Sequence, residues 1–262
     1  MERYKSLLFV PAKNKMLTKI DMLDADAFII DLEDSIEEDY KEEAISNVIA
    51  YLEKSTVSKD IFVRINKDRA LSECNRLQNT GIKGFMLPKF ENPQEYLVLG
   101  EKILEKYQII ALIETPRGVV NLPDISSCSW VDALAFGAED YTAAANMKNT
   151  KTNLLYVKSK LLTYSKAENK LVFDTPFMQL SEENLLEEEI QDSFDMGFDG
   201  KMAINISHIK QINTVFGSDD IEQIKNIIEE YEKAGKAVVV IEGRIYEKMH
   251  INHLRRILRD RK

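Results

Sequence analysis

Hydrophobic residues along this chain are concentrated in eight short runs, each with the β-branched and aromatic content that is typical of a strand. They occupy residues 6–11, 27–34, 61–66, 84–89, 109–115, 133–140, 171–176 and 200–205. Charged segments with helical apolar periodicity lie between most of them. Because nearly continuous apolar strands belong to sheets that are buried on both faces, we expect a parallel sheet. Eight strands alternating with helices predict an α/β fold, the (β/α)8 TIM barrel.

The segments outside the runs predict several further elements. Residues 92–107 are expected to form one amphipathic helix, with Asn92 capping it and Pro93 at its first position. Residues 219–233 have the same periodicity, 238–241 read as a ninth short strand or extended arm, and a last helix is expected near 248–259. We therefore expect a barrel over residues 1–216 and a C-terminal helical arm over 217–262, which packs on the barrel or swaps between subunits.

Composition excludes several classes of protein. The 262 residues are 44% hydrophobic and 30% charged, which is typical of a globular chain. The formal net charge of −9 would repel a phosphate backbone, so nucleic acid is not an expected partner. No apolar run approaches the length of a membrane span or of a signal peptide, and the only cysteines are Cys74 and Cys128. We therefore expect a cytoplasmic protein with no membrane partner.

Ionisable residues stand at the ends of most of the eight runs. In a (β/α)8 barrel the carboxyl ends of all strands surround one mouth, where active sites are built. Charges that are far apart in the sequence therefore converge, and so many at one rim are costly unless they pair or hold a metal. The residues concerned are Asp31, Glu33, Asp34, Arg64, Lys89, Glu114, Glu139, Asp140 and Asp174.

Two of these carboxylates suggest a metal site. Glu114 and Asp140 close neighbouring strands, so we expect them side by side. Two carboxylates without histidine or cysteine ligands suit Mg²⁺, which keeps several waters and leaves places for substrate oxygens. Arg64, across the mouth, is expected to bind a substrate carboxylate through both arms of its guanidinium group. The residues expected to orient these groups or metal-bound water are Asp31, Glu33 and Lys89.

Other motifs are weak or absent. His250 and His253 form an H-x-x-H pattern without an evident third ligand, so we expect surface histidines. The sequence contains no G-x-G-x-x-G, no P-loop and no G-x-S-x-G, which argues against the usual dinucleotide, nucleotide and serine-hydrolase sites. The basic stretch at 255–262 is expected to be the solvated end of the final helix.

Eight blocks of sequence match, in order and spacing, those of a known family. They are S-L-L-F-V-P-A at 6–12, D-A-F-I-I-D-L-E-D-S at 26–35, V-R-I-N at 63–66, M-L-P-K-F-E at 86–91, L-I-E-T-P-R-G-V-V at 112–120, F-G-A-E-D-Y at 136–141, L-L-Y-V-K-S-K at 154–160 and M-G-F-D-G-K at 196–201. Through these blocks the chain resembles the citrate lyase beta-subunit group, which also contains malyl-, citramalyl- and related acyl-CoA lyases. The resemblance implies a metal-dependent βα barrel.

The resemblance also implies a reaction, the reversible carbon–carbon cleavage of a 3-hydroxyacyl thioester to an acyl thioester and an α-keto acid. The substrate would be a citryl-, malyl- or citramalyl-type thioester, carried by coenzyme A or by the phosphopantetheine of a carrier protein. Matched by motif, Glu114 and Asp140 fall on the Mg²⁺ ligands, and Arg64 falls on the residue that holds the keto-acid carboxylate. Lys13 resembles basic residues that meet coenzyme A phosphates, and Phe9 is expected to border the substrate pocket.

Members of this family use an acidic residue from a C-terminal arm that a neighbouring subunit donates, so the resemblance implies a homo-oligomer, with a trimer favoured. Here Glu247 stands where the family has aspartate, and its extra methylene would shift the carboxylate. Asn205 and Ile206 replace the family's His-Pro after the eighth strand. The chain holds no carrier or transferase domain, so a citrate lyase role would need further subunits of a lyase complex.

Two alternatives to a lyase stay open. A Claisen-type synthase or thioesterase could use the same site, because the enolate chemistry runs in both directions and can end in hydrolysis. A catalytically weak binding or assembly subunit would keep the barrel alone, and the change at Glu247 motivates this alternative. The presence of Glu114, Asp140 and Arg64 argues against it.

Overall fold

The computed structural model describes residues 1–54, 58–179, 182–217 and 221–259. Eight strands pair in parallel and in chain order, and the last pairs with the first, so the sheet closes into a barrel. The predicted (β/α)8 barrel is therefore confirmed. The strands are β1 Ser6–Pro11, β2 Ala27–Asp31, β3 Asp60–Arg64, β4 Gly84–Leu87, β5 Gln108–Ile113, β6 Ala133–Phe136, β7 Leu171–Asp174 and β8 Gly200–Ala203.

Helices follow the strands around the barrel. They are α1 Asn14–Leu17, α2 Lys41–Lys54, α3 Ala70–Leu77, α4 Glu101–Leu104, α5 Pro116–Val120, α6 Leu122–Ser127, α7 Ala138–Ala144, α8 Lys151–Ala167, α9 Glu183–Met196 and α10 Ile206–Phe216. Four short 3₁₀ helices are also described, at Ile20–Met22, Glu38–Tyr40, Lys67–Arg69 and Pro93–Leu99. None of the helices in the described ranges combines the length and the apolar character that crossing a bilayer requires.

Side chains that point into the barrel alternate along each strand with side chains that pack against the helices. A separate cluster of buried residues fills the interior and takes mostly every second strand position, namely Leu7, Ala27, Ile29, Phe62, Met86, Ile110, Leu112, Ala133, Ala135, Phe173 and Met202. Their sequence neighbours, such as Leu8, Phe28 and Val63, belong to the larger core between strands and helices. The same alternation, continued past each strand, decides which side chains reach the mouth.

The prediction of a single helix over residues 92–107 is wrong. Asn92 does cap the segment, because its side chain accepts a hydrogen bond from the Gln94 N–H, but a 3₁₀ helix follows and ends at Leu99. Gly100 then adopts a φ of 70°, a left-handed conformation that interrupts any continuous helix, and only the four-residue α4 comes after it. The apolar periodicity does correspond to a packed face, but it does not reveal the break at this glycine.

A buried ionic cluster lies on the outward face of β7 and β8. Asp174 and Lys201 are both fully buried, and Lys201 Nζ lies 3.2 Å from Asp174 Oδ2. The same oxygen accepts hydrogen bonds from Lys158 Nζ at 2.8 Å and from Ser193 Oγ at 2.6 Å. Although burial opposes its charged form, Lys201 and Lys158 hold the pKa of Asp174 below its ordinary value. The expectation that Asp174 joins the charges at the mouth is therefore wrong.

The chain divides into two compact units, Met1–Phe216 and Gly217–Lys262. The second contains α11 Ile221–Ala234, an antiparallel pair of strands, β9 Val238–Ile241 and β10 Arg244–Glu247, and α12 Lys248–Arg259. The two strands are joined through Glu242 and Gly243, which both have positive φ, as a two-residue type I′ hairpin requires. The expected helix start at residue 219 lies outside the described residues.

Candidate active site

A cavity of about 410 Å³ opens at the C-terminal ends of the barrel strands. Most of the residues that line it continue the inward-facing positions of the strands, as Glu114 continues Ile110 and Leu112. Its polar lining consists of Asp31, Asp34, Ser35, Arg64, Glu114, Glu139, Asp140 and Thr175. The cavity thus gathers acidic groups from separate parts of the sequence around one arginine.

Glu114 follows β5 directly and is 2% exposed. Its Oε1 accepts a hydrogen bond of 2.7 Å from the backbone N–H of Lys89. Burial, with the nearby carboxylates of Glu33 and Asp140, raises the pKa of Glu114 to about 8 despite that hydrogen bond. The charged form is thus disfavoured here, and a bound cation is the kind of neighbour that would restore it.

Arg64, the last residue of β3, is fixed by contacts on every nitrogen. Its Nε and Nη2 donate to the two carboxylate oxygens of Asp31, each at 2.8 Å. Its Nη1 lies 3.2 Å from both Glu33 Oε2 and Asp34 Oδ2. The ring of Phe9 lies against the guanidinium group, with its centroid 5.1 Å from Cζ. These contacts hold the guanidinium in one orientation at the cavity wall.

Lys89 connects the two halves of the site. Its Nζ lies 2.8 Å from Glu33 Oε1, and Glu33 in turn contacts Arg64. Its own backbone N–H reaches Glu114, as described above. Lys89 has a φ of 47°, in the left-handed region that is strained for a residue with a side chain, and such strain persists only where surrounding contacts impose it. The lysine thus links the buried carboxylate of Glu114 to the arginine.

The donor set fits Mg²⁺. Within the described residues no group of three or more histidine, cysteine, aspartate or glutamate side chains could enclose a metal ion. Mg²⁺ does not need one, because it is commonly held by one or two carboxylates, with water and substrate oxygens completing its shell. Glu114 and Asp140 line the same cavity and interact electrostatically, and none of the described residues forms an ion pair with the buried carboxylate of Glu114. These are the properties expected of a pair of Mg²⁺ ligands.

Gly137, which lies between β6 and α7, belongs to the site although it carries no chemical group that would single it out in the sequence. A Cβ on this residue would stand 2.7 Å from both Cβ and Oε2 of Glu114, far inside van der Waals contact. Gly137 continues the inward positions Ala133 and Ala135, so it faces the cavity. The sequence alone predicts this inward-facing position, because side chains alternate along a strand. It identifies a glycine whose lack of a side chain makes room for Glu114.

We expect Gly137→Ala to displace the Glu114 side chain while the barrel still folds, because the φ of −102° at this position suits alanine. Loss of a supporting contact around a metal ligand typically costs about 10- to 100-fold in metal affinity. Isothermal titration of the variant with Mg²⁺ should show a drop of that size, with an unchanged far-ultraviolet circular dichroism spectrum. Wild-type affinity in a folded variant would argue that Glu114 does not hold the metal.

The other residues singled out in the sequence lie in different places. Asp140 is half-buried in the first turn of α7 and lines the cavity, as does Phe9 within β1. Lys13 is exposed at the start of α1 and is not among the lining residues. Glu247 ends β10 in the second unit, where it is exposed and its N–H donates to His250 Nδ1 at 3.0 Å.

Comparison with known proteins identifies the family. The citrate lyase subunit beta of Haemophilus influenzae is 28% identical, over 98% of this chain and 97% of that protein. The (3S)-malyl-CoA thioesterase of Cereibacter sphaeroides is 27% identical, over 97% of this chain and 93% of that one. A solved citrate lyase beta subunit from M. tuberculosis, complexed with oxaloacetate and magnesium, is 26% identical over 80% of this chain and 96% of that one, with a TM-score of 0.70. Because the family model described as HpcH/HpaI aldolase/citrate lyase also matches residues 5–206, the chain belongs to that family.

Proposed function

We propose that this chain is a Mg²⁺-dependent carbon–carbon lyase, which cleaves a 3-hydroxyacyl thioester to an acyl thioester and an α-keto acid. The observation that carries the proposal is the combination, in one cavity, of the buried Glu114 carboxylate, Asp140 and a rigidly held Arg64. Two relatives support it, since one is a citrate lyase subunit beta and another is a citrate lyase beta subunit complexed with oxaloacetate and magnesium.

The residues of the cavity have three different roles, which are metal binding, substrate binding and the orientation of the binding groups. Glu114 and Asp140 hold Mg²⁺, which when bound supplies a Lewis acid that polarises substrate oxygens. Arg64 binds the carboxylate of the keto-acid half, and Phe9 supports the guanidinium from one side. A further set of residues orients these groups through the contacts described above, namely Asp31, Glu33 and Lys89.

The 3-hydroxyl group loses its proton as its oxygen becomes the keto oxygen, and the C–C bond breaks with departure of a thioester enolate. The enolate carbon takes up a proton in turn, so no proton is gained or lost overall. We assign that proton to Glu247, at the position where the family carries an aspartate on its C-terminal arm. In this proposal residues 217–262 form an arm that reaches a neighbouring copy of the chain, in a homo-oligomer for which a trimer is favoured. The extra methylene of glutamate would require a small compensating shift of the arm.

The partners of this reaction are small molecules. They are an α-keto acid and an acyl thioester, whose thiol belongs to coenzyme A or to a carrier-bound phosphopantetheine. Lys13, exposed just after β1, is proposed to meet the phosphates of that thiol carrier. Because one relative is a citrate lyase subunit, the proposal includes assembly with other lyase subunits. Both cysteines are unpaired, which agrees with a reducing compartment, and we place the enzyme in the cytoplasm.

A thioesterase is the second candidate, because one relative is a (3S)-malyl-CoA thioesterase. The two reactions leave different products. Cleavage of the carbon–carbon bond releases a keto acid and keeps the thioester, whereas hydrolysis releases a free thiol and no keto acid. Product analysis therefore separates the candidates directly.

The proposal is tested by incubating the purified chain with malyl-, citramalyl- and citryl-CoA, with Mg²⁺ or with EDTA. We expect keto acid, detected as its phenylhydrazone, to appear with Mg²⁺, to disappear with EDTA and to return when Mg²⁺ is restored. A thiol reagent run in parallel detects hydrolysis. Free thiol without keto acid would replace the lyase by the thioesterase, and neither product on any substrate would favour the binding or assembly subunit.

A further inference from the structure

Glu247, the residue to which we assign proton transfer, stands where β10 ends and α12 begins. Side chains alternate along β10, so Ile245 and Glu247 are exposed, whereas Tyr246 between them is buried in the core of the second unit. Among the described residues, none forms a hydrogen bond or an ion pair with the carboxylate of Glu247. The direction of this carboxylate therefore depends on the backbone that carries it.

That backbone is held from the first turn of α12. Glu247 immediately precedes the helix, in the N-cap position, and His250 is the third residue of the helix. The N–H of Glu247 donates a hydrogen bond of 3.0 Å to His250 Nδ1. A side chain that accepts from the N-cap N–H at this third position is one half of a capping box, where glutamate or glutamine is the usual residue. In this chain a histidine takes that place.

The imidazole of His250 is itself fixed by the core of the second unit. It is half-buried, and its ring meets the ring of Tyr246 edge to face, with the centroids 6.3 Å apart and the planes at 87°. Tyr246 belongs to a buried cluster that also contains Ile241 and Ile251. The packed core thus holds His250, and His250 holds the backbone of Glu247.

We infer that His250 is a positioning residue for Glu247, and that it compensates for the methylene by which Glu247 exceeds the aspartate of the family. This inference rests on the proposed function, which assigns proton transfer to Glu247. A longer side chain loses more freedom when its carboxylate is held at one point, so a fixed backbone matters more. A misplacement of about 1 Å costs about 10²-fold in rate. Glutamate is not among the preferred N-cap residues, which agrees with a carboxylate that is free of the helix.

The inference is tested by steady-state kinetics of the full-length chain with Mg²⁺ and malyl-, citramalyl- and citryl-CoA. We expect His250→Ala to lower kcat for keto-acid release about 10- to 100-fold, because the acid is misplaced. The KM for the thioester and the Kd for pyruvate or oxaloacetate with Mg²⁺, measured by calorimetry, should stay at the wild-type values. His250→Gln supplies the usual capping-box acceptor and should keep kcat within about threefold of wild type. His253→Ala, at an exposed histidine on the same helix, is the matched control and should leave kcat unchanged.

A double variant shows whether His250 acts through Glu247. Glu247→Gln removes the acid, so the addition of His250→Ala should lower kcat no further, because residues that act as a unit have non-additive effects. Losses that multiply in the double variant would mean that His250 acts independently of Glu247, and they would overturn the inference.

The outcomes separate this inference from the proposed function. If wild type releases keto acid and His250→Ala is equally active, the inference is overturned while the lyase stands. The same holds if His250→Gln loses as much activity as His250→Ala, because the hydrogen-bond acceptor is then not the reason for the loss. A rise in KM as large as the fall in kcat would mean general damage to the arm and would also overturn the inference. If wild type releases no keto acid from any of the thioesters, both proposals fail.

Discussion

Glu114→Gln is expected to lower the affinity for Mg²⁺ and the Mg²⁺-dependent rate of thioester cleavage about 10³-fold, which corresponds to a loss of several kcal/mol of electrostatic stabilisation. The substitution keeps the size of the side chain and its contact with the Lys89 N–H, but it removes the negative charge. Asp140 is then the single carboxylate left of the proposed ligand pair. Titration with Mg²⁺, or with Mn²⁺ followed by electron paramagnetic resonance, measures the metal affinity independently of turnover.

Glu139→Gln is the matched control for this experiment. Glu139 lines the same cavity and precedes the proposed ligand Asp140, but it is exposed and its Oε1 accepts a hydrogen bond from Asn149 Nδ2 at 2.7 Å. Its substitution removes an equal charge from the cavity, so it reports the general electrostatic effect alone. We expect its metal affinity to fall much less than that of Glu114→Gln. Equal losses of Mg²⁺ affinity in the two variants would mean that Glu114 contributes only to the overall electrostatic field of the cavity.

The closed barrel could be predicted from the sequence because its strands are nearly continuous apolar runs, which only a doubly covered parallel sheet requires. The clustering of Glu114, Asp140 and Arg64 in one cavity followed from their positions at strand ends. Asp174, at a similar position, faces outward instead. Side chains alternate along a strand, so Asp174, which follows the inward-facing Phe173, must point outward. Its place at the end of an apolar run does not by itself reveal this direction.

Two features could not be predicted, for physical reasons. The interruption of residues 92–107 depends on the left-handed φ of Gly100, and glycine inside a periodic segment is compatible with either a continuous or a broken helix. The bonds that orient Arg64 depend on rotamers, because Asp31, Glu33 and Asp34 all lie within reach of one guanidinium group. Gly137 is different, because its inward parity was present in the sequence and its role follows from the size of its neighbour Glu114.

Asp174→Asn is expected to lower the free energy of unfolding by about 3–5 kcal/mol, the range for removing one partner of a buried ion pair. Lys201 is fully buried and, among the described residues, would keep Glu189 as its one acidic partner, with Glu189 Oε1 2.8 Å from its Nζ. Lys158, which also contacts Asp174, would lose its carboxylate partner too. The double variant Asp174→Asn/Lys201→Met removes the unpaired charge and should recover part of the loss. Urea unfolding of the single and double variants measures both effects.

The pH dependence of the free energy of unfolding distinguishes the contribution of the charge of Asp174 from the contribution of its packing. Its pKa is below the ordinary value in the folded protein, so its contribution to stability is present above the unfolded pKa of about 3.9 and is lost as the pH falls below it. The difference in the free energy of unfolding between wild type and Asp174→Asn should therefore stay nearly constant from pH 7 to about pH 5 and narrow as the pH falls from about 4 to 3. Asp192→Asn, at a more exposed ion pair with Lys151 on the neighbouring helices, is the control and should change stability far less. A difference that stays constant with pH would mean that Asp174 stabilises the barrel by shape and hydrogen bonding, because an aspartate that owed its role to charge must lose it on protonation.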